Sequence, residues 1–189
     1  MSEKSLGELQ CWETVARRKL VDASPWLNLW VDEVRLPDGR IVRDFYTVEQ
    51  PDHVVIFALD DADRVVGLWH YKHGPACVNL GFPAGYLMPG EDALTAARRE
   101  LFEETGYVAD DWQHLGSYTV DGNRGNGRGH YFLARGARQT AQAEPDDLEE
   151  IRIELIKVAD LNSLLKGSVA TLDAAAVIGL ALNALGLKG

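Results

Sequence analysis

Between Trp26 and Tyr71 the chain alternates short runs rich in β-branched and aromatic residues with compact polar turns. Trp26 to Leu36 and Ile41 to Val48 flank Pro37-Asp38-Gly39, where proline pre-sets φ and glycine tolerates φ > 0, and this predicts a β-hairpin. A second hairpin is predicted from Val54 to Leu59 and Val65 to Tyr71, joined through Asp60-Asp61-Ala62-Asp63. Residues up to about Ala23 form a polar lead-in with no period that assigns an element. After a stretch broken by Gly and Pro from Tyr71 to Pro89, the period changes to that of a helix. Leu94, Ala97 and Leu101 make an apolar stripe from Asp92 to about Thr105, and Gly106 supplies the left-handed stop. Strands are expected at Leu115 to Val120, His130 to Ala134 and Ile151 to Lys157, and helices at Ala159 to Lys166 and Leu172 to Leu185. Successive strands with one central and one late helix point to an α+β or mixed α/β sandwich and away from a doubly wound sheet.

Composition narrows the class. At 189 residues, with 46% hydrophobic and 25% charged positions, the chain is expected to be one folded domain, or one domain with a dimerisation appendage. Its 19 basic against 29 acidic residues, a formal charge of −10, do not support attraction to a phosphate backbone, so nucleic acid is not an expected partner. Two cysteines, Cys11 and Cys77, without CxxC spacing indicate neither a disulfide framework nor a zinc site. The first residues lack a basic region followed by an apolar one, and the longest apolar run, Ala174 to Leu182, is far short of the ~20 residues a membrane helix needs. The expectation is a soluble, cytoplasmic protein with no membrane partner.

Two segments stand out. Asp121 to Gly129 is glycine-rich and dibasic, and Glu144 to Glu150 is acidic; each, taken alone, reads as a flexible tip or a solvated surface. His53, His70, His73 and His130 read as structural or surface residues, and Trp26, Trp30 and Trp69 as packing residues.

The central helix carries charges that local stability would not choose. At about 100° per residue Glu100, Glu103 and Glu104 share one narrow face. They lie in the last turns, where the helix dipole disfavours anions by ~0.3–1 kcal/mol each. A solvated acidic face accounts for the charges but not for the glycine-rich approach before them. A hard divalent cation accounts for both, because it takes oxygen ligands and needs the backbone close by.

The spacing G-x5-E-x7-R-E-L-x-E-E-x-G, carried by Gly85, Glu91, Arg99, Glu100, Leu101, Glu103, Glu104 and Gly106, resembles the Nudix box. Its fixed Gly, Glu and Arg positions would match at random in roughly one sequence in a million. Tyr107 stands where the family usually has an aliphatic residue. With the early hairpin, Pro83-Ala84-Gly85, a late acidic loop and a terminal helix, the chain from about Trp26 to Leu185 resembles the ADP-ribose pyrophosphatase branch. That resemblance implies a Nudix α/β/α sandwich with a mixed β-sheet. It also implies residues 1–48 as a lead-in and dimer-forming hairpin, residues 49–189 as the Nudix domain, and a homodimer.

It further implies Mg²⁺-assisted attack of water on a nucleoside diphosphate linked to a sugar, ADP-ribose above all, with Mn²⁺ as an alternative ion. By position, Glu100, Glu104, Glu103 and the carbonyl of Ala84 become the metal ligands, while Arg99 and Glu91 orient helix and loop. Glu149 first and Asp147 second become the water-activating base, so the catalytic set is Glu103, Glu149, Asp147 and Arg99. Lys72, Arg124 and Arg128 are the candidate substrate contacts. Lys72 stands where relatives usually have Arg, and Lys lacks the bidentate fork. Gly81 stands where close relatives often carry Glu, and the dibasic loop replaces a family proline. The alternatives are another nucleotide sugar or dinucleotide as substrate, or a nucleotide-sensing domain without turnover. Retention of every box carboxylate favours the enzyme.

Overall fold

A computed structural model describes residues 9–143 and 150–187. The chain divides into two compact units: one holds the described residues up to Pro51 together with Thr119–Gly127, the other Asp52–Tyr118 and the described residues from Arg128 onward.

The first unit is an antiparallel meander of β1 (Glu13–Ala23), β2 (Leu27–Arg35) and β3 (Ile41–Glu49). The hairpin expected across Pro37-Asp38-Gly39 is β2–β3, closed by Leu36 donating to the Arg40 carbonyl at 2.9 Å. β1 had no sequence assignment, and its burial explains why: all but one of its residues are exposed, so no buried face imposes a period of two. One polar residue is buried here. Asp32 is 6% exposed, receiving Arg17 Nε at 3.2 Å and the Thr47 hydroxyl at 3.1 Å.

The second unit is built on strands buried on both faces. It contains β4 (His53–Leu59), β5 (Arg64–Lys72), β6 (Cys77–Gly81), β7 (Ala84–Tyr86), α1 (Ala93–Thr105) and β8 (Tyr107–Val108). β9 (Asp111–Asp121) and β10 (Gly125–Arg135) come next and thread through both units, followed by β11 (Arg138–Gln139), β12 (Ile151–Lys157), α2 (Leu161–Leu164) and α3 (Leu172–Ala184). β4 and β10 pair in parallel from His53↔Gly129 to Leu59↔Arg135. Doubly buried parallel strands read as apolar runs, as Val54 to Leu59 does.

Alternation sends β4 side chains to two cores. Val55, Phe57 and Leu59 pack with Val177, Ile178 and Ala181 of α3, whereas Val54, Ile56 and Ala58 pack with Ala96, Ala97 and Leu101 of α1. Tyr131 and Leu133 of β10 follow the first group and Phe132 and Ala134 the second, so the helices cover opposite faces as an α/β/α sandwich does. No helix among the described residues is long and apolar enough to cross a membrane.

Three expectations are revised in detail. The glycine-rich segment turns only at its start, where Asp121 Oδ1 accepts the N–H groups of Asn123 and Arg124, and from Gly125 it is strand. The helix expected from Ala159 to Lys166 is a 3₁₀ turn, Val158–Asp160, followed by the single turn of α2, because only Leu161 of that turn is buried. β6 and β7, hidden by their Gly and Pro content, are short strands that pair β5 and β4 respectively.

Asp173, in the first turn of α3, ties this helix to the sheet. It accepts the Tyr131 hydroxyl at 2.5 Å and lies 3.4 Å from His53 Nε2. The bond with His53, then that with Tyr131, holds its carboxyl below the usual range against the opposing cost of burial. Its stabilising contribution is therefore present above the ordinary carboxylate pKa and is lost as pH falls through the lowered value. Asp173→Ala should cost about 1–2 kcal/mol at neutral pH. Urea unfolding across a pH series checks this, and the deficit should shrink on acidification.

Candidate active site

The ends of α1 fix its position before its charges come into play. Asp92 caps it, Oδ1 accepting from Leu94 N and Thr95 N at 3.1 Å each, and Gly106, at φ 70°, closes it by donating to the Phe102 carbonyl at 2.7 Å. Burial of Ala96, Ala97 and Leu101 then fixes its rotation. The box residues are placed accordingly, towards the loop that precedes the helix.

Arg99 is the hub. Nε and Nη2 donate to the two oxygens of Glu91 at 3.0 and 2.9 Å. Nη1 donates to Glu100 at 2.6 Å and Glu103 at 3.0 Å, and Nη2 also reaches the Tyr86 carbonyl at 3.1 Å. A guanidinium has five N–H donors, and every one of them is used. Glu91 in turn accepts the Met88 N–H at 2.9 Å, which locks the loop to the helix. The Arg99 fork, then the Met88 N–H, holds the Glu91 carboxyl below its ordinary range. Arg99 is pushed above its already high value, chiefly by Glu91.

Two carboxylates engage the backbone of β7. Glu104, 8% exposed, accepts the Ala84 N–H at 3.0 Å. Glu100 packs on Gly85 so closely that a Cβ there would lie 2.1 Å from its carboxyl carbon. The first glycine of the box is thus required by contact. Burial raises the Glu100 pKa and Arg99 opposes that rise.

The structure therefore brings Ala84, Glu91, Arg99, Glu100, Glu103 and Glu104 together. The donor set is all oxygen, which fits a hard divalent cation, and a single guanidinium meets three of the four carboxylates. Among the described residues no three His, Cys, Asp or Glu side chains already surround one metal position, and Glu100 and Glu103 are turned onto Arg99. Lys72 ends β5, in register with Cys77. Arg124 belongs to the first unit, where it donates to the Tyr46 carbonyl at 3.0 Å and covers the Phe45 ring. Arg128 gives its main-chain N–H to Asp52 at 2.9 Å. Asp147 and Glu149 lie outside the described residues. Sequence reasoning passed over the Tyr86 carbonyl, since a main-chain acceptor leaves no residue-type signal.

Comparison with known proteins agrees with this geometry. The sequence matches the NUDIX domain over residues 49–174 and the nucleoside diphosphate sugar hydrolase N-terminal domain over residues 12–48. It is 30% identical over 173 residues to the CMP-5'-(N-acetyl-N-hydroxy-3-aminopropyl)phosphonate hydrolase of Streptomyces rubellomurinus, covering 90% of this chain and 81% of that one. It is 28% identical to the ADP-ribose pyrophosphatase of Bacillus subtilis, over 69% of this chain and 68% of the relative. A solved structure of an ADP compounds hydrolase superposes with a TM-score of 0.81 at 20% identity, covering 96% of this chain and 99% of the other, and so shares its fold. As a class, Nudix hydrolases use divalent metal ions. An unbroken box, a domain match across two thirds of the sequence and an α/β/α sandwich that presents the box carboxylates to β7 together establish that the chain belongs to the Nudix family, as a pyrophosphohydrolase.

Proposed function

We propose that the protein hydrolyses the diphosphate bond of a nucleoside diphosphate linked to a sugar, with ADP-ribose the first candidate, releasing AMP and ribose 5-phosphate. The observation that carries this reading is the box itself: Glu91, Glu100 and Glu103 on Arg99, with Glu104 on the Ala84 N–H and Glu100 on Gly85. The named activity of the Bacillus relative supports the substrate. The Streptomyces relative, named for a CMP-linked phosphonate, supports the wider class of nucleotide-linked compounds.

Glu100, Glu104 and Glu103, with the Ala84 carbonyl, would hold Mg²⁺, or Mn²⁺ in its place. When bound, the cation neutralises diphosphate charge and polarises the attacking water. Arg99 keeps Glu100 and Glu103 at fixed separations and anchors the loop through Glu91, a positioning role. Glu149, with Asp147 as second choice, accepts the proton of water; both assignments rest on the resemblance in sequence. Lys72, Arg124 and Arg128 are the proposed contacts to phosphate or sugar. We further propose a homodimer formed through residues 1–48, an assignment supported by the exposure of Trp12, Val15, Leu20, Val21 and Trp26. A reducing, cytoplasmic setting accords with Cys11 and Cys77 being free thiols.

Assay of a panel of nucleotide sugars, dinucleotides and triphosphates with Mg²⁺ tests the reading. ADP-ribose should yield AMP and ribose 5-phosphate, and Glu104→Gln should lower kcat/KM by at least roughly 100-fold. Hydrolysis of no member of the panel, with binding retained, would instead identify a nucleotide sensor.

Gly85→Ala probes the contact between sheet and helix. The added methyl must displace the Glu100 carboxyl, so this variant should lose about 1–3 kcal/mol of stability and most of its turnover. Gly74→Ala, with nothing within 4 Å of the added carbon, should change neither. Urea midpoints and turnover measured side by side check both outcomes.

A further inference from the structure

The face of the sheet that α1 covers continues across β5 and β6. Val66 packs in the core beneath α1, so Leu68 and His70, two and four residues on, share its face. Their register partners on β6 are Gly81 and Asn79. Asn79 is 2% exposed, and neither its Nδ2 nor its Oδ1 has a hydrogen-bond partner. His70 beside it is 7% exposed.

A buried primary amide with both ends unmet costs stability that a leucine of similar size would not. Its position is also pointed. Asn79 precedes Ala84 by five residues, at most about 18 Å of extended chain from the Glu104 contact. Across β5, His70 is in register with Ile151, the first residue of β12. The floor between the box and the start of β12 therefore ends in this pair.

The chemistry of the floor selects a class of ligand. Gly81 leaves room for the imidazole, since a Cβ there would come within 2.7 Å of His70 Nε2. No side-chain carboxylate stands at position 81, and the amide is neutral, one donor end and one acceptor end. An oxyanion would satisfy Nδ2 alone and face the lone pairs of Oδ1. A vicinal pair of hydroxyls satisfies both, one accepting from Nδ2 and its neighbour donating to Oδ1.

We propose that Asn79, set beside His70 and two residues before Gly81 on the same face of β6, binds a vicinal diol of the sugar attached to the diphosphate. This rests on the hydrolase reading above and deepens it: the distal group is a neutral, hydroxylated sugar, and Asn79 is its specificity residue.

The test compares ADP-ribose with ADP esterified at its terminal phosphate by ethanol, which keeps the nucleotide and lacks the distal sugar. The ratio of their kcat/KM values should fall about 100-fold in Asn79→Leu, while its urea midpoint stays at or above that of the wild type. Asn79→Ala should give the same collapse if leucine is not accommodated. Calorimetric Kd values for both compounds, measured in metal-free buffer, give the ratio independently of turnover. If the wild type hydrolyses neither compound but the Kd ratio collapses in the variant, sugar recognition stands and the hydrolase reading fails. An unchanged ratio in both measurements, with hydrolysis intact, overturns the proposal and leaves Asn79 as an amide satisfied by internal water.

Discussion

The site depends on one side chain satisfying five acceptors at once. Arg99 meets Glu91 with a two-bonded fork, Glu100 and Glu103 with one amino group, and the Tyr86 carbonyl with its remaining hydrogen. The contacts reach the loop, β7 and the second half of α1, so the three are locked in one arrangement. Without a cation at that point, carboxylates concentrated near a helix C-terminus would repel one another and the dipole. A lysine could not replace it, having three donors and no planar fork.

The rest of the unit serves that arrangement. The parallel pair β4–β10, buried on both faces, gives α1 a flat apolar bed in Val54, Ile56 and Ala58, and the capped ends of the helix set its register on that bed. Only then do Glu104 and Glu100 reach Ala84 N and the bare backbone of Gly85. Function is thus bought with local instability: like charges on one helical face, and a glycine in a strand, whose backbone loses more freedom on folding than that of any other residue.

Much of this was legible in sequence because the constraints were local. The hairpin turns, the helix from Asp92 to Gly106 and the late helix all carry residues whose backbone preferences act within a few positions. The box carboxylates stood out because they contradict helix stability. β1 was illegible because an exposed strand imposes no alternation, and β6 and β7 because Gly81, Pro83 and Gly85 read as loop although their backbones pair with neighbours. Asn79 carried a signal that went unused, a polar residue at an inward position between apolar neighbours, and only the register sets it beside His70. Long-range pairing of this kind is not encoded in any short window.

The central claim is that Arg99 and Glu91 act as one coupled unit which holds loop and helix together. A double-mutant cycle with Arg99→Met, Glu91→Gln and the combined variant, read by urea unfolding, measures that coupling directly. The account predicts an interaction energy of about 1.5–3 kcal/mol, as for hydrogen bonds between charged groups that are largely shielded from solvent. A coupling within about 0.5 kcal/mol of zero, as for an exposed ion pair, would contradict it.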